Sequence, residues 1–151
     1  MVLIGALLLG ITMNGYAGYA SEPTKMGTLT SASASITTEY SKYHKGVDLA
    51  FEPGAKIASP FNGHVETLEA YDDMCFVIIT DNVDGKSIVF INLHNSPLNE
   101  GETVKRGDVI GTTGQEALHI SYYPKGVKNE AVDPSEFLQR AGLVIKKGGT
   151  Q

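Results

Sequence analysis

From Tyr40 onward, apolar residues recur at every second position or gather in short β-branched runs, the spacing of strands rather than helices. Val47-Asp-Leu-Ala-Phe51 alternates and stops at the turn Glu52-Pro-Gly54, and Lys56-Ile-Ala-Ser59 leads into a second turn, Pro60-Phe-Asn-Gly63. His64-Val-Glu-Thr-Leu68 alternates again. Cys75-Phe-Val-Ile-Ile-Thr80 and Ser87-Ile-Val-Phe-Ile-Asn-Leu93 are denser runs flanking Asp81-Asn-Val-Asp-Gly85, whose Asp-Gly step supplies the positive φ of a hairpin turn. Val104 to Gly111 predicts a short strand with its turn, and Leu118-His-Ile-Ser-Tyr-Tyr123 predicts another. Only Pro134 to Arg140 reads as helical, with Ser135 as its cap and Gly142 as its stop. The pattern predicts an all-β fold, an antiparallel sheet or sandwich with one short C-terminal helix.

The two ends read differently. Val2 to Met13 is almost wholly apolar, small and aromatic residues follow to Ala20, and no charge precedes Glu22. Residues 1–20 therefore read as a secretory signal peptide or a membrane anchor, although the basic start of a signal peptide is missing. Contact with a virion or another larger assembly is the alternative. Residues 21–39, rich in Ser, Thr and Ala, read as a linker or extended arm, residues 40–140 as the folded domain, and residues 141–151 as a C-terminal tail.

Composition narrows the function. A chain of 151 residues predicts one domain with a real core. Twelve Lys and Arg against seventeen Asp and Glu, a net charge of −5 with no basic run, exclude general nucleic-acid binding, which relies on neutralising phosphates. The lone cysteine, Cys75, excludes an intramolecular disulfide and a zinc site of the Cys₄ or Cys₂His₂ kind, and its apolar strand predicts a small core residue. No Gly-x-Gly-x-x-Gly, Gly-Lys-Ser/Thr or Gly-x-Ser-x-Gly is present, which disfavours dinucleotide, P-loop and serine-hydrolase chemistry.

Four histidines remain, at positions 44, 64, 94 and 119. His44 is followed four residues later by Asp48, and a turn through Gly46 can bring imidazole and carboxylate to one centre, two-thirds of a His₂Asp zinc set. His119, on a predicted strand, is the candidate third ligand. The order of the whole segment strengthens this reading. His44-Lys-Gly-Val-Asp-Leu-Ala50, Pro53 to Val65, Phe90-Ile-Asn-Leu93, Gly101 to Gly114, Ala117-Leu-His119 and Asp133-Pro-Ser-Glu-Phe-Leu138 follow one another as in the lysostaphin/LytM-type zinc metallopeptidases, which this chain resembles over about residues 40–140. The resemblance implies a zinc cofactor on His44, Asp48 and His119, and peptidoglycan as the substrate or ligand. It also implies a place outside the cytoplasm, exported or membrane-anchored and facing the cell wall, or on a virion.

The departures from the family pattern matter equally. Two histidines that serve the family as base and as stabiliser of the tetrahedral intermediate correspond here to Ala117 and Asn92. Positioned acid–base help is worth ~10²–10⁴ in rate and an oxyanion donor ~10²–10³, so losing both brings a peptidase near background. His94, two residues past Asn92, and Glu116 are the candidate substitute bases. Asn92 and Tyr122 are candidate substrate-binding residues, with Tyr123 beside them, while His64 reads as surface. Two functions follow: a cell-wall zinc endopeptidase with a degenerate site, or a catalytically silent domain of the same fold that serves wall binding, regulation or envelope and virion assembly.

Overall fold

The computed structural model of the protein describes residues 26–146. Ten strands form one connected open sheet: β1 (Ser33–Thr38), β2 (Val47–Ala50), β3 (Lys56–Ala58), β4 (Gly63–Tyr71), β5 (Met74–Asp81), β6 (Ser87–His94), β7 (Thr103–Val104), β8 (Val109–Thr112), β9 (Leu118–Tyr123) and β10 (Val144–Ile145). The helix α1 spans Ser135–Arg140. The main path runs β10-β1-β2-β9-β6-β5-β4-β7, and β8 joins β6 and β3 off that path. The predicted all-β fold with one short helix is the observed one.

Burial explains the layout. β5 and β6 are buried along most of their length, as expected for central strands covered on both faces, whereas β4 is buried at its start and exposed towards Tyr71. Phe61, Ile57, Val77, Ile79, Phe90, Leu93, Ile110, Leu118 and Ile120 form the centre of the core. Phe137 and Leu138 of α1 close one side of it, with Phe137 edge-on to Phe61. The Asp81–Gly85 turn is built as predicted: Gly85 has φ +74, and Asp81 Oδ1 accepts from the Val83 amide at 2.7 Å. Lys86 sits at the end of this turn, nearly buried, with its ammonium 2.7 Å from both Asp81 and Asp84.

The folded domain draws in more chain than residues 40–140. Ser33–Thr38, expected to belong to a linker or arm, is β1, paired antiparallel with β2. Leu29 and Ala34 are fully buried. Small residues gave this stretch the look of a linker, yet Ala34 fits the core because it is small. At the other end, Ala141 and Leu143 are buried and Val144–Ile145 pairs with β1, the one parallel ladder among the described strands. The tail therefore does not begin at residue 141. At α1 the N-cap is Pro134, and Ser135 is the first helical residue, its amide and hydroxyl both donating to Asp133 Oδ1. The stop at Gly142 (φ +74) is as expected. The signal or anchor expected in residues 1–20 lies outside the described residues, and among the described residues no helix is long and apolar enough to cross a membrane.

Candidate metal centre

The site starts from sheet register. Asp48 on β2 stands directly opposite His119 on β9, so their side chains share one face, while the flanking pairs Val47–Ile120 and Leu49–Leu118 point into the core on the other. His44 comes from the loop before β2. There the Ser41 hydroxyl accepts from the amides of Tyr43 and His44, and Ser41 and His44 exchange backbone hydrogen bonds, fixing the turn that swings the imidazole back over the sheet.

His44 Nε2 lies 3.2 Å from Asp48 Oδ2, and His119 Nδ1 lies 2.7 Å from Asp48 Oδ1. The two rings meet edge to face, centroids 5.0 Å apart. One ligand atom from each of the three residues lies within 4.8 Å of the others, a grouping fit for one metal ion. Burial works to raise the Asp48 carboxyl. Hydrogen bonds from His119 and Thr38 and the charges of His44 and His119 outweigh it and hold the group below the usual carboxylate range.

Each ring also has an outer partner. His44 Nδ1 faces the Glu39 carbonyl at 3.0 Å, which can only accept, so Nδ1 carries the hydrogen and Nε2 presents its lone pair. His119 Nε2 faces the Ser121 hydroxyl at 2.8 Å, and that hydroxyl donates to the Lys45 carbonyl at 2.6 Å. His44 Nε2, His119 Nδ1 and an Asp48 carboxylate oxygen thus converge, a donor set of the kind zinc takes, and each ring is hydrogen-bonded on its other nitrogen. Gly46 allows this packing. A Cβ there would stand 2.5 Å from the Ile120 carbonyl and 2.6 Å from His119 Nε2.

The remaining candidates fall in different places. Asn92 Nδ2 donates to the Ala117 carbonyl at 3.1 Å, so the two positions that lack histidine are tied to each other. Asn92 has φ +69, and the register between β5 and β6 shifts at the same point, a bulge in β6. His94, beyond that bulge, is not one of the three grouped residues. Its ring is largely buried, with Nε2 3.0 Å from Glu116 and Nδ1 3.6 Å from Asp73. The two candidate bases are therefore partners of one another.

Tyr122 does not line a groove beside His119. Strand alternation puts it on the core side with Leu118 and Ile120, stacked on Phe137 at 4.2 Å. Tyr123 takes the His119 face and borders, with Lys45, Val127 and Glu130, a cavity of about 310 Å³. His64 bonds Asn82 at the surface of the sheet. Cys75 is buried, its thiol donating to the Leu93 carbonyl, and burial pushes that thiol up against the opposing hydrogen bonds to Ser96. Ser121 and the Glu39 and Lys45 carbonyls escaped sequence reasoning, because backbone acceptors leave no trace in residue identity and a strand serine is unremarkable. Gly46, tight against the site, was the available signal.

Known proteins share this fold. The family description "Peptidase family M23" matches residues 42–134. Stage II sporulation protein Q of Bacillus subtilis (strain 168) is 27% identical over 117 residues, covering 71% of this chain and 40% of that relative. Lysostaphin from Staphylococcus simulans superposes with a TM-score of 0.60 at 22% identity, over 76% of this chain and 54% of that one. A crystal structure of the SpoIIIAH and SpoIIQ complex contains a chain with a TM-score of 0.59 at 20% identity, covering 74% of this chain and 99% of that one. The chain thus spans less than two thirds of the length of sporulation protein Q and of lysostaphin. A match over most of the domain, on a sheet that brings His44, Asp48 and His119 together, establishes that the chain belongs to peptidase family M23.

Proposed function

We propose that this chain is an M23 domain that holds zinc on His44, Asp48 and His119 but has given up peptide hydrolysis, and that it works as a binding and assembly module at the cell envelope. The observation that carries the proposal is the hydrogen bond from Asn92 to the Ala117 carbonyl. It closes on itself the pair of positions where acid–base groups would be expected. A zinc ion held on the three ligands supplies a Lewis acid. Peptide cleavage also needs a proton carried to the leaving nitrogen. Ala117 has no group to carry one, and the Asn92 amide donates to a backbone carbonyl. Sporulation protein Q, a relative at 27% identity, has been crystallised in complex with SpoIIIAH, and this supports a protein partner for the present domain.

A second reading keeps hydrolysis of peptidoglycan cross-bridges, with Glu116, next in sequence to Ala117, as base and His94 as its partner at 3.0 Å. Incubating the full chain with zinc and purified peptidoglycan, and counting new amino termini against a His119→Ala control, separates the two. The proposal expects tight zinc binding and no release above the control. Release that disappears with His119→Ala overturns it in favour of the endopeptidase.

A further inference from the structure

We propose that the outer edge of β4, from Thr67 to Tyr71, docks an extended, lysine- or arginine-bearing segment of a partner protein. The proposal rests on the assembly role for the existence of a partner, while the edge itself owes nothing to the metal centre. On its inner side β4 pairs with β5 along its length, with a bulge at Glu66. On its outer side β7 reaches only Gly63 and His64, and Val65 is bonded to the loop at Gly101 and Glu102. Beyond that point the edge is bare. The β4–β5 turn consists of Asp72 and Asp73, so Tyr71 and Met74 flank it and bond to each other. Strand alternation then directs the backbone N–H and C=O of Leu68 and Ala70 outward, and no group among the described residues bonds to them there. Unpaired strand groups of this kind are a template for another strand.

Charge selects the occupant. Residues 66–73 carry Glu66, Glu69, Asp72 and Asp73 and no lysine or arginine. A second copy of this chain would bring the same acids to the edge, and like charges facing across a ladder are destabilising. An opposite charge is favoured by the same geometry. The core-side face of the edge adds a pocket of matching chemistry. Leu68, Ala70, Met74 and Cys75 line a cavity of about 200 Å³ whose wall includes Asp72 and Asp73. Asp72 has no ion pair among the described residues, and Asp73 faces only His94 at 3.6 Å. A lysine or arginine on the incoming strand would lay its alkyl stem over the apolar residues and bring its cationic head to these carboxylates. The apolar floor and the anionic rim thus lie at the stretch of β4 whose backbone is unpaired.

The experiment titrates the ¹⁵N-labelled full chain with the capped peptide Thr-Val-Lys-Val-Lys-Val-Thr and reads amide shifts and hydrogen exchange at Leu68 and Ala70. The peptide is expected to shift and protect these two amides, and the same peptide with glutamate in place of lysine is expected to leave them unchanged. Glu69→Lys combined with Asp72→Lys should weaken the lysine peptide by about tenfold or more, because both charges are reversed. Methylating the peptide's backbone nitrogens, on the valines in one version and on the lysines in another, removes its donors in either register and leaves the protein untouched. One of the two versions is expected to lose the protection. Equal binding by every version, or shifts spread over the acidic surface with Leu68 and Ala70 unprotected, marks diffuse charge attraction and overturns the proposal. So does the absence of binding at millimolar peptide. Such a failure leaves the wall assay and the zinc measurements to decide the function of the metal centre on their own.

Discussion

Two histidine clusters on one sheet surround the same side chain with different partners. At His44–Asp48–His119, the outward nitrogens meet a carbonyl and a hydroxyl, and the inward ones both face a single carboxylate. At His94, the two nitrogens each face a carboxylate, Glu116 at 3.0 Å and Asp73 at 3.6 Å. The first cluster sets two histidines around one acid, the second one histidine between two acids. What differs is whether the second nitrogen meets a neutral partner, as at His44 and His119, or a second carboxylate, as at His94.

The contrast can be broken in a definite order. Asp48→Asn should reduce zinc affinity by at least about a hundredfold, because it removes a ligand charge, while His94→Gln should leave it within about threefold; isothermal titration with zinc checks both. Glycine contacts come next. Gly46→Ala would place a methyl group 2.5 Å from the Ile120 carbonyl, backbone that cannot step aside. Gly114→Ala would meet the His94 ring, a side chain that can give. Overpacking costs ~1–3 kcal/mol, and denaturant unfolding should put Gly46→Ala at or above the top of that range and Gly114→Ala nearer the bottom.

A third cluster supplies a reference without histidine. Desolvation works to lower the Lys86 ammonium, but Asp81 and Asp84 outweigh it and its pKa is raised above 10.5. Asp84, itself pushed up by burial, is held below 3.8 by Lys86. A lysine raised in the folded state adds stability that is complete below pH 10.5 and disappears as the pH climbs through the raised value. A carboxylate lowered in the folded state adds stability that is complete above pH 3.8 and disappears as the pH falls through the lowered one. Melting temperature should therefore fall at both extremes, and Lys86→Met should flatten both limbs without touching zinc affinity. The smallest effect belongs to Glu116→Gln. Glu116 is about half exposed, so unfolding free energy should change by less than ~1 kcal/mol.

Most of the sheet was legible because β-branched and alternating runs mark half-buried strands, and the ligand set was legible because His44 and Asp48 are close in sequence while His119 lies on a recognisable strand. β1 was not, since Ser33–Thr38 is built of small and polar residues and its strand character comes from β2 and β10 on either side. Tyr122, a candidate for substrate binding, lies on the core side because adjacent strand positions alternate and two tyrosines in a row cannot both take the His119 face. The aim of His94 depended on the bulge at Asn92, a single positive φ that reverses the direction of the residues after it.

The parallel ladder between β1 and β10 has a topological consequence. Ser33 is registered against Val144, so the path of the chain into the domain and its path out run side by side. Such a domain behaves like a bead clipped onto a string at one point. A break at the exposed turn around Glu100 would fall far along the chain from this ladder and leave the pairing of first strand with last in place.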